Sequence, residues 1–583
     1  MAAGEAGAAP WAARSPFRPE EGRDLMLVPR VREWFADPVA REALDRIAAD
    51  PAVAEVREHD KGVDVRLADD WIEARGAPLE SGPADPTANA DLAAGKRYAV
   101  YFWGANTTKA LHVGHLRNLA LGNAISAGLR VGGARVENRS LICDVGRSMG
   151  EAMAGVVASG RADDELGSEN GEKSDHFVGL CYADYVKAGR DDLGDDGAED
   201  SVARESAVYD DKADELMMRV LAGDQGALEL WSKTRACVIS GQRKTLARLG
   251  VPFDKVIFES DFLPEVAELT NLGLREGTLR RREDGMVIYP TEREELEEMP
   301  LVRSDGLPTQ HMRALAYWSA APELDDCTSL QVCGTEWVAH VTCRRQLLDA
   351  LALAKSNGHG NPVINGNGRG GPPTHDVFHG MVARTGEAVS SSKKGALLID
   401  DLVEWTEDRL LVDPELAAVR AAHPQPDRIA SRVVLAYFLL QTTSKRVEFE
   451  PELLFETERS LGWDIVRAQA HGVASRGAGN GAPSVAAAQP AAAGRAGGAG
   501  TRPAGGAPIR PAADPDYRFA VVQSELFRRH LRSAVADLDP VPLARYLSHF
   551  SRWHAAGDHS PRVDAVAQTI LDEGVRGLGL EAA

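Results

Sequence analysis

Apolar positions recur along this chain at two spacings, and the spacing changes wherever glycine or an Asx residue interrupts it. From Tyr98 to Phe102 the run YAVYF has the character of a buried strand, and it breaks at Gly104-Ala105-Asn106 before a helical pattern begins near His112. The same succession returns twice. Ala134 to Asn138 reads as a second strand, and Leu330 to Cys333, ended by Gly334, reads as a buried third that leads into a helix carrying Glu336, Trp337 and His340. Residues 212–254 read as two helices joined at Gly223-Asp224-Gln225, and residues 432–470 as further helix. Near the C-terminus, Leu543, Tyr546, Leu547 and Phe550 fall at i, i+3, i+4 and i+7, as do Val563, Val566, Ala567 and Ile570. At the other end, a helix-like segment from Val31 is followed by the turn Asp60-Lys61-Gly62 and the alternating strand VDVRL. Strands alternating with helices predict an α/β fold around a parallel sheet, flanked by a small α+β region and a helical one.

Composition punctuates this pattern. Residues 1–25 are rich in Ala, Gly and Pro and are expected to be disordered, and residues 473–512 have the make-up of a linker. The stretch 160–211 is dominated by Asp, Glu, Gly and Ser, which predicts a solvated surface insertion. With 583 residues and 44% hydrophobic content the chain holds several packed domains. Its formal charge of −21 does not advertise a nucleic-acid partner, although a local basic face matters more to a polyanion than the sum. Six cysteines without CxxC spacing suit reduced cytosolic thiols, and no protein metal site is expected. No apolar h-region or run of ~18 apolar residues is present, so neither a signal peptide nor a membrane span is expected.

The chemistry concentrates between Asn106 and His115. His112 and His115 stand at H-x-x-H spacing around Gly114, at the start of a helix, with Lys109 just before them. Alone, such a pair suits a metal or simple packing. At a helix N-terminus it also suits a phosphate, because unpaired backbone N–H groups and a partial positive charge lie there. Ser390 to Gly395, SSSKKG, is a second loop of a composition that folds over phosphates.

HVGH, preceded by Asn106 and Lys109 and followed by Leu-Arg-Asn, resembles the HIGH signature of class I aminoacyl-tRNA synthetases in its arginyl form. In family order come CDVGRSMG at 143–150, a connective insertion, PLVRSDG at 300–306, the Glu336 helix, THDVFHGMV, and SSSKKG in the place of the KMSKS loop. The resemblance implies a Rossmann-like, doubly wound catalytic domain over 91–405, interrupted by the insertion at about 151–305. It also implies a shortened N-terminal tRNA-binding-type domain over 26–90, a helical region over 406–471, a linker over 472–515 and an anticodon-binding-type helical domain over 516–583.

On this resemblance the substrates are ATP with Mg²⁺, an amino acid (nominally arginine) and tRNA, in a cytoplasmic monomer. His112, His115, Lys393 and Lys394 would act on the phosphates. Val389 stands where the leading KMSKS lysine is expected, and Lys109 would replace it. Gly114, Glu336, Met381, Val382, Ser391 and Ser392 would hold ATP; Asn106, Asp144 and Gln310 would hold the amino acid. The family's guanidinium-binding tyrosine and aspartate align with Pro308 and Met312, and an acid and a serine near HVGH align with Tyr101 and Gly104. Weak or displaced arginine activation is therefore expected. Beside an arginine–tRNA ligase stand two alternatives, a family-derived adenylate-forming ligase with another amino acid or acceptor and a non-catalytic tRNA-binding relative.

Overall fold

The computed structural model describes residues 11–14, 19, 23–29, 35–80, 89–161, 173–193, 205–209, 211–293, 296–320, 327–356, 374–384, 397–423, 425–456, 460–479 and 514–581. They form two compact units. One comprises residues 86–464, 530–545 and 574–583; the other comprises residues 1–85, 465–529 and 546–573.

The larger unit is built on five parallel strands, Arg97–Tyr101, Arg135–Ile142, Lys255–Phe258, Thr328–Gly334 and Thr374–His379. Counted in chain order, they lie 5-4-1-2-3 across the sheet. The chain winds outward on one side of Arg97–Tyr101, then returns to wind outward on the other. A crevice therefore opens at the carboxyl ends of Arg97–Tyr101 and Thr328–Gly334, where the order reverses. Ala99, Val100, Leu330 and Val332 are buried, as strands covered on both faces require.

Helix Val113–Val131 packs almost all round. Gly122 lets it approach the sheet, since a Cβ there would lie 2.1 Å from the Phe102 ring. Arg117, buried within the same helix, gives one NH2 to the carbonyls of Gln441, Thr442 and Thr443 at 3.4, 2.7 and 3.2 Å. This ties helix Pro426–Leu439 and the turn after it to the catalytic-type core.

The stretch expected to be a solvated insertion is only partly so. Residues Ser174–Leu193 form a helix whose Phe177, Val178, Cys181, Tyr182 and Val186 are buried against Ala152, Val156 and Val238. Its apolar face was hidden by the acidic residues on either side. Helices Lys212–Leu221 and Gln225–Leu249 break where expected, with Asp224 accepting the Ala227 N–H as the N-cap of the second. Three antiparallel strands, Arg280–Arg281, Val287–Arg293 and Leu296–Val302, complete the insertion; they carry no counterpart in the pattern of expected elements.

The smaller unit joins the N-terminal stretch 1–85 to residues 465–529 and 546–573. Its sheet has the order Trp11–Arg14, Leu25–Pro29, Gly62–Leu67, Val53–His59, all antiparallel. Strand Trp11–Arg14 lies inside the stretch expected to be disordered, and Val53–His59 lies where only helix was expected after Pro38–Ala48. VDVRL buries Val63, Val65 and Leu67 as its alternation predicts. Helix Leu461–Gly479 runs on into the stretch expected to be linker, and helices Pro515–Asp537, Val541–Ala556 and Pro561–Gly577 follow.

Arg518 is the polar centre of this unit. It is 6% exposed and donates to Asp24 Oδ2 at 2.6 Å, to the Leu67 carbonyl at 2.6 Å and, by a short bond, to Asp69. The N-terminal sheet thus shares one compact unit with residues 515–529 and 546–573 of the C-terminal helices, whereas 530–545 and 574–583 belong to the larger unit. Arg518→Ala strands the buried Asp24 carboxylate, and loss of one partner of such a pair costs about 3 to 5 kcal/mol. Urea unfolding followed by helical circular dichroism is expected to show a loss of that size; a change under about 1 kcal/mol would contradict it.

Candidate active site

Strand Arg97–Tyr101 delivers the chain to Gly104, and helix Val113–Val131 begins with His112 as its N-cap. Two backbone amides turn inward on the imidazoles. His112 N–H donates to His115 Nδ1 at 3.1 Å, and Gly114 N–H donates to His112 Nδ1 at 3.2 Å. A ring that accepts at Nδ1 carries its proton at Nε2, so both neutral rings turn an Nε2–H donor elsewhere. The rings lie 4.0 Å apart, centroid to centroid. Gly114 makes room for this fold-back, since a Cβ there would sit 3.0 Å from the His112 ring.

This arrangement corrects one expectation. The first backbone N–H groups of the helix are not open to a phosphate, because Val113 N–H donates to the Leu397 carbonyl at 2.9 Å and His115 N–H to the His112 carbonyl at 2.8 Å. The imidazole Nε2–H groups are the donors left at this turn.

Two adjoining cavities, of 350 and 200 Å³, occupy the crevice and share Gly104, His112, His115, Gln310, His311 and Trp337. The larger also touches Gly114, Glu336, Met381 and Val382, and the smaller touches Asn106 and Lys109. The structure therefore brings nine of the expected residues to one place, counting Gln310. Glu336 is exposed at the rim, and desolvation raises its carboxyl above the usual range. The Met381 carbonyl already accepts the Val447 N–H at 2.8 Å. Lys109 rests above the Tyr182 ring at 5.4 Å, and Gly179 clears its Cβ at 3.1 Å, so the helix hidden in the acidic insertion props this lysine.

Asp144 is not among them. Its oxygens are taken by Arg235 at 2.8 Å and by the Ser260 hydroxyl and amide at 2.7 and 3.0 Å, and it lines neither cavity. Ser391, Ser392, Lys393 and Lys394 lie outside the described residues.

The face of helix Gln310–Ala320 also differs from expectation. Gln310, His311, Ala314 and Trp318 line the larger cavity, whereas Met312 is buried in an apolar cluster with Leu269, Leu301 and Leu347. Pro308 turns its carbonyl to Arg313. The i, i+4 pair that faces the crevice is therefore Gln310 and Ala314, two residues later than expected. Neither is acidic.

Carboxylates come instead from residues the sequence did not flag. Buried Arg313 donates from Nε to Glu259 at 2.7 Å, and from NH1 and NH2 to Glu205 at 3.2 Å each. Glu259 lines the larger cavity and Glu205 the smaller. Two carboxylates share one guanidinium there.

No family model matches the chain. An arginine–tRNA ligase of Borrelia hermsii is 26% identical over 382 residues, 63% of this chain and 58% of that protein. Another from Amoebophilus asiaticus is 27% identical over 395 residues, 63% of this chain and 60% of that one. The chain thus spans less than two thirds of the length of these curated relatives. Among solved structures, the fold is similar to Thermus thermophilus arginyl-tRNA synthetase, with a TM-score of 0.63 at 18% identity over 98% of this chain and 96% of that one.

Burial, then the charge of Lys109, lowers His115 to about 3, and burial with His115 and Lys109 lowers His112 well below its ordinary value. Both rings are thus neutral at pH 7. The unfolded rings bind a proton near pH 6.5, so the protein loses stability as pH falls below that value toward 3. Carbon-13 NMR of labelled histidines, assigned with His112→Gln and His115→Gln, is expected to show both rings neutral at pH 5. Titration of either near 6.5 would contradict the tautomer argument.

Proposed function

We propose that this chain, a divergent member of the arginyl-tRNA synthetase family, activates an amino acid with ATP and transfers it to tRNA. The observation that carries the reading is the pair of Nδ1-anchored imidazoles at the topological switch point of the sheet. An oxygen of the amino-acid carboxylate attacks the α-phosphorus of ATP, the bond to the β-phosphate oxygen breaks, and pyrophosphate leaves. The terminal ribose hydroxyl of tRNA then attacks the acyl carbon, and AMP leaves.

Neither step requires a protein nucleophile; both require donors where charge grows. His112 and His115 supply neutral Nε2–H donors, and Lys109 supplies a cation beside them. Glu336 faces the ribose, and the backbone at Met381 and Val382 faces the adenine. Mg²⁺ would accompany the nucleotide and would offset phosphate charge as pyrophosphate leaves. Lys393 and Lys394 precede Leu397 by four and three residues, and Leu397 is bonded to Val113. Lys393 and Lys394 are assigned the β and γ phosphates.

Asn106 lies where the α-amino group would sit, and Glu205, in surplus over Arg313, receives a cationic side chain. Arginine is the first candidate. The lack of a carboxylate at Gln310 and Ala314 makes its grip weaker than that of a pocket with its own dedicated aspartate.

Amino-acid-dependent pyrophosphate exchange, with and without tRNA, tests the reading. Cationic amino acids are expected to lead, and Glu205→Gln is expected to lower their kcat/KM by about 10- to 100-fold, the worth of one charged hydrogen bond. A neutral amino acid in the lead would remove the Glu205 argument. His115→Ala is expected to slow exchange by about 10²- to 10³-fold with a smaller effect on ATP affinity. Lys109→Ala should slow it similarly, and an unchanged rate in that variant would exclude its role.

A further inference from the structure

Within the smaller unit, helices Leu461–Gly479, Val541–Ala556 and Pro561–Gly577 bring histidines together that no part of the aminoacylation chemistry uses. One ligand atom from each of His471, His554 and Asp564 can be chosen so that all three lie within 4.8 Å of one another. His554 is fully buried, with Nε2 at 3.1 Å from Asp564 Oδ1. Its buried Nδ1 has no hydrogen-bond partner among the described residues. The ring of His471 lies 5.1 Å from that of His554, nearly perpendicular to it, and His559 stacks on His554 at 5.6 Å and lies 6.3 Å from His471.

A second acceptor points the same way. Gln568, one turn after Asp564, gives its amide nitrogen to Asp572 at 2.7 Å, which fixes its Oε1 as the opposite atom. That oxygen is buried and has no partner among the described residues. It lies where a side chain on residue 472 would begin: a Cβ on Gly472 would be 2.5 Å from Gln568 Oε1 and 3.9 Å from His554 Cε1. Glycine inside a helix costs about 1 kcal/mol relative to alanine, so the space it leaves beside His471 has a use.

Imidazole nitrogens, a carboxylate and an amide oxygen converge, and the amide oxygen brings a lone pair with no donor to meet it. We propose that His471, His554 and Asp564 bind one divalent transition metal ion of the zinc type, with Gln568 Oε1 in the fourth position. Two imidazoles and a carboxylate suit Zn²⁺ rather than Mg²⁺ or Ca²⁺, which prefer all-oxygen sets. Bonds of ~2.0–2.1 Å place neighbouring tetrahedral ligands roughly 3.3 Å apart, close to the His554–Asp564 separation. The ion stitches helix Leu461–Gly479 to the last two helices of the unit across the long intervening segment, so it binds the folded unit and not the unfolded chain.

The test uses the full-length chain, stripped by a chelator and titrated with Zn²⁺ against a chromophoric competitor, then with Co²⁺ read by visible absorption. One equivalent is expected to bind, to give cobalt bands of tetrahedral type and to raise the melting temperature. His471→Ala, at a half-buried ring, is expected to keep its helical circular dichroism. It should lose the cobalt bands and at least about 100-fold in Zn²⁺ affinity. Asp564→Asn should behave likewise. Failure of the stripped chain to bind an equivalent, or equal binding by a folded His471→Ala variant, would overturn the site. Neither outcome bears on pyrophosphate exchange, which reports on the other unit.

Discussion

Two backbone-to-imidazole hydrogen bonds at the start of helix Val113–Val131 set the terms for the crevice. An imidazole offers one donor and one acceptor when neutral, and here the acceptor of each ring is spent on a main-chain amide. Protonation would put N–H against N–H, so charge is excluded by geometry as well as by burial. The same bonds consume the amides that a helix N-terminus would otherwise offer to an anion. On the proposed function, the work of meeting a phosphate would pass from the backbone to two side chains whose orientation these bonds fix. Such donors need no reorganisation as charge develops.

What fixes the turn also fixes its neighbours. Leu397 and Ile399 exchange backbone bonds with Val113 and Leu111, so the segment following the lysine loop is anchored to the histidine turn. One residue on, Asp400 accepts from Lys173 at 2.7 Å and from His176 at 3.1 Å, both at the start of helix Ser174–Leu193. Burial pushes the Asp400 carboxyl up, yet bonds from His176, Lys173 and Thr245 hold it at about 2. The network therefore stays charged at neutral pH and loosens only in strong acid. That helix in turn carries Gly179 and Tyr182 beneath Lys109. The insertion is thereby part of the wall of the crevice.

The sheet was legible because buried parallel strands are nearly continuous apolar runs, and those at Tyr98 and Leu330 have no competing helical period. His112, His115 and Gly114 were legible because their spacing and their glycine belong to one local turn. Asp144 was misread for the opposite reason: its partners, Arg235 and Ser260, lie about 90 and 116 positions away in sequence. Glu205 lies in a polar stretch that composition marks as solvent, and only the buried guanidinium of Arg313 explains its place. Met312 shows how a helix defeats local alignment. A slip of two residues rotates a side chain by roughly 200°, from the crevice to the core behind it.

The same reasoning explains why specificity and catalysis are not equally readable. The donors proposed for the phosphates come from one continuous turn, and the two bonds that orient their rings are local. The acceptors for an amino-acid side chain come from Glu205, Glu259 and the face of helix Gln310–Ala320, three segments joined only by folding. Arg313 is the link, because a guanidinium buried in that position must be met by acceptors, and it takes both Glu205 and the buried Glu259, whose carboxyl is raised by burial above its usual range. A pocket built this way recognises charge first. Shape is left to Gln310, Ala314 and Trp318, which carry no charge. On the proposed function, the carboxylates beside Arg313 and not the face of helix Gln310–Ala320 would carry side-chain recognition, while the histidine turn would serve the phosphates.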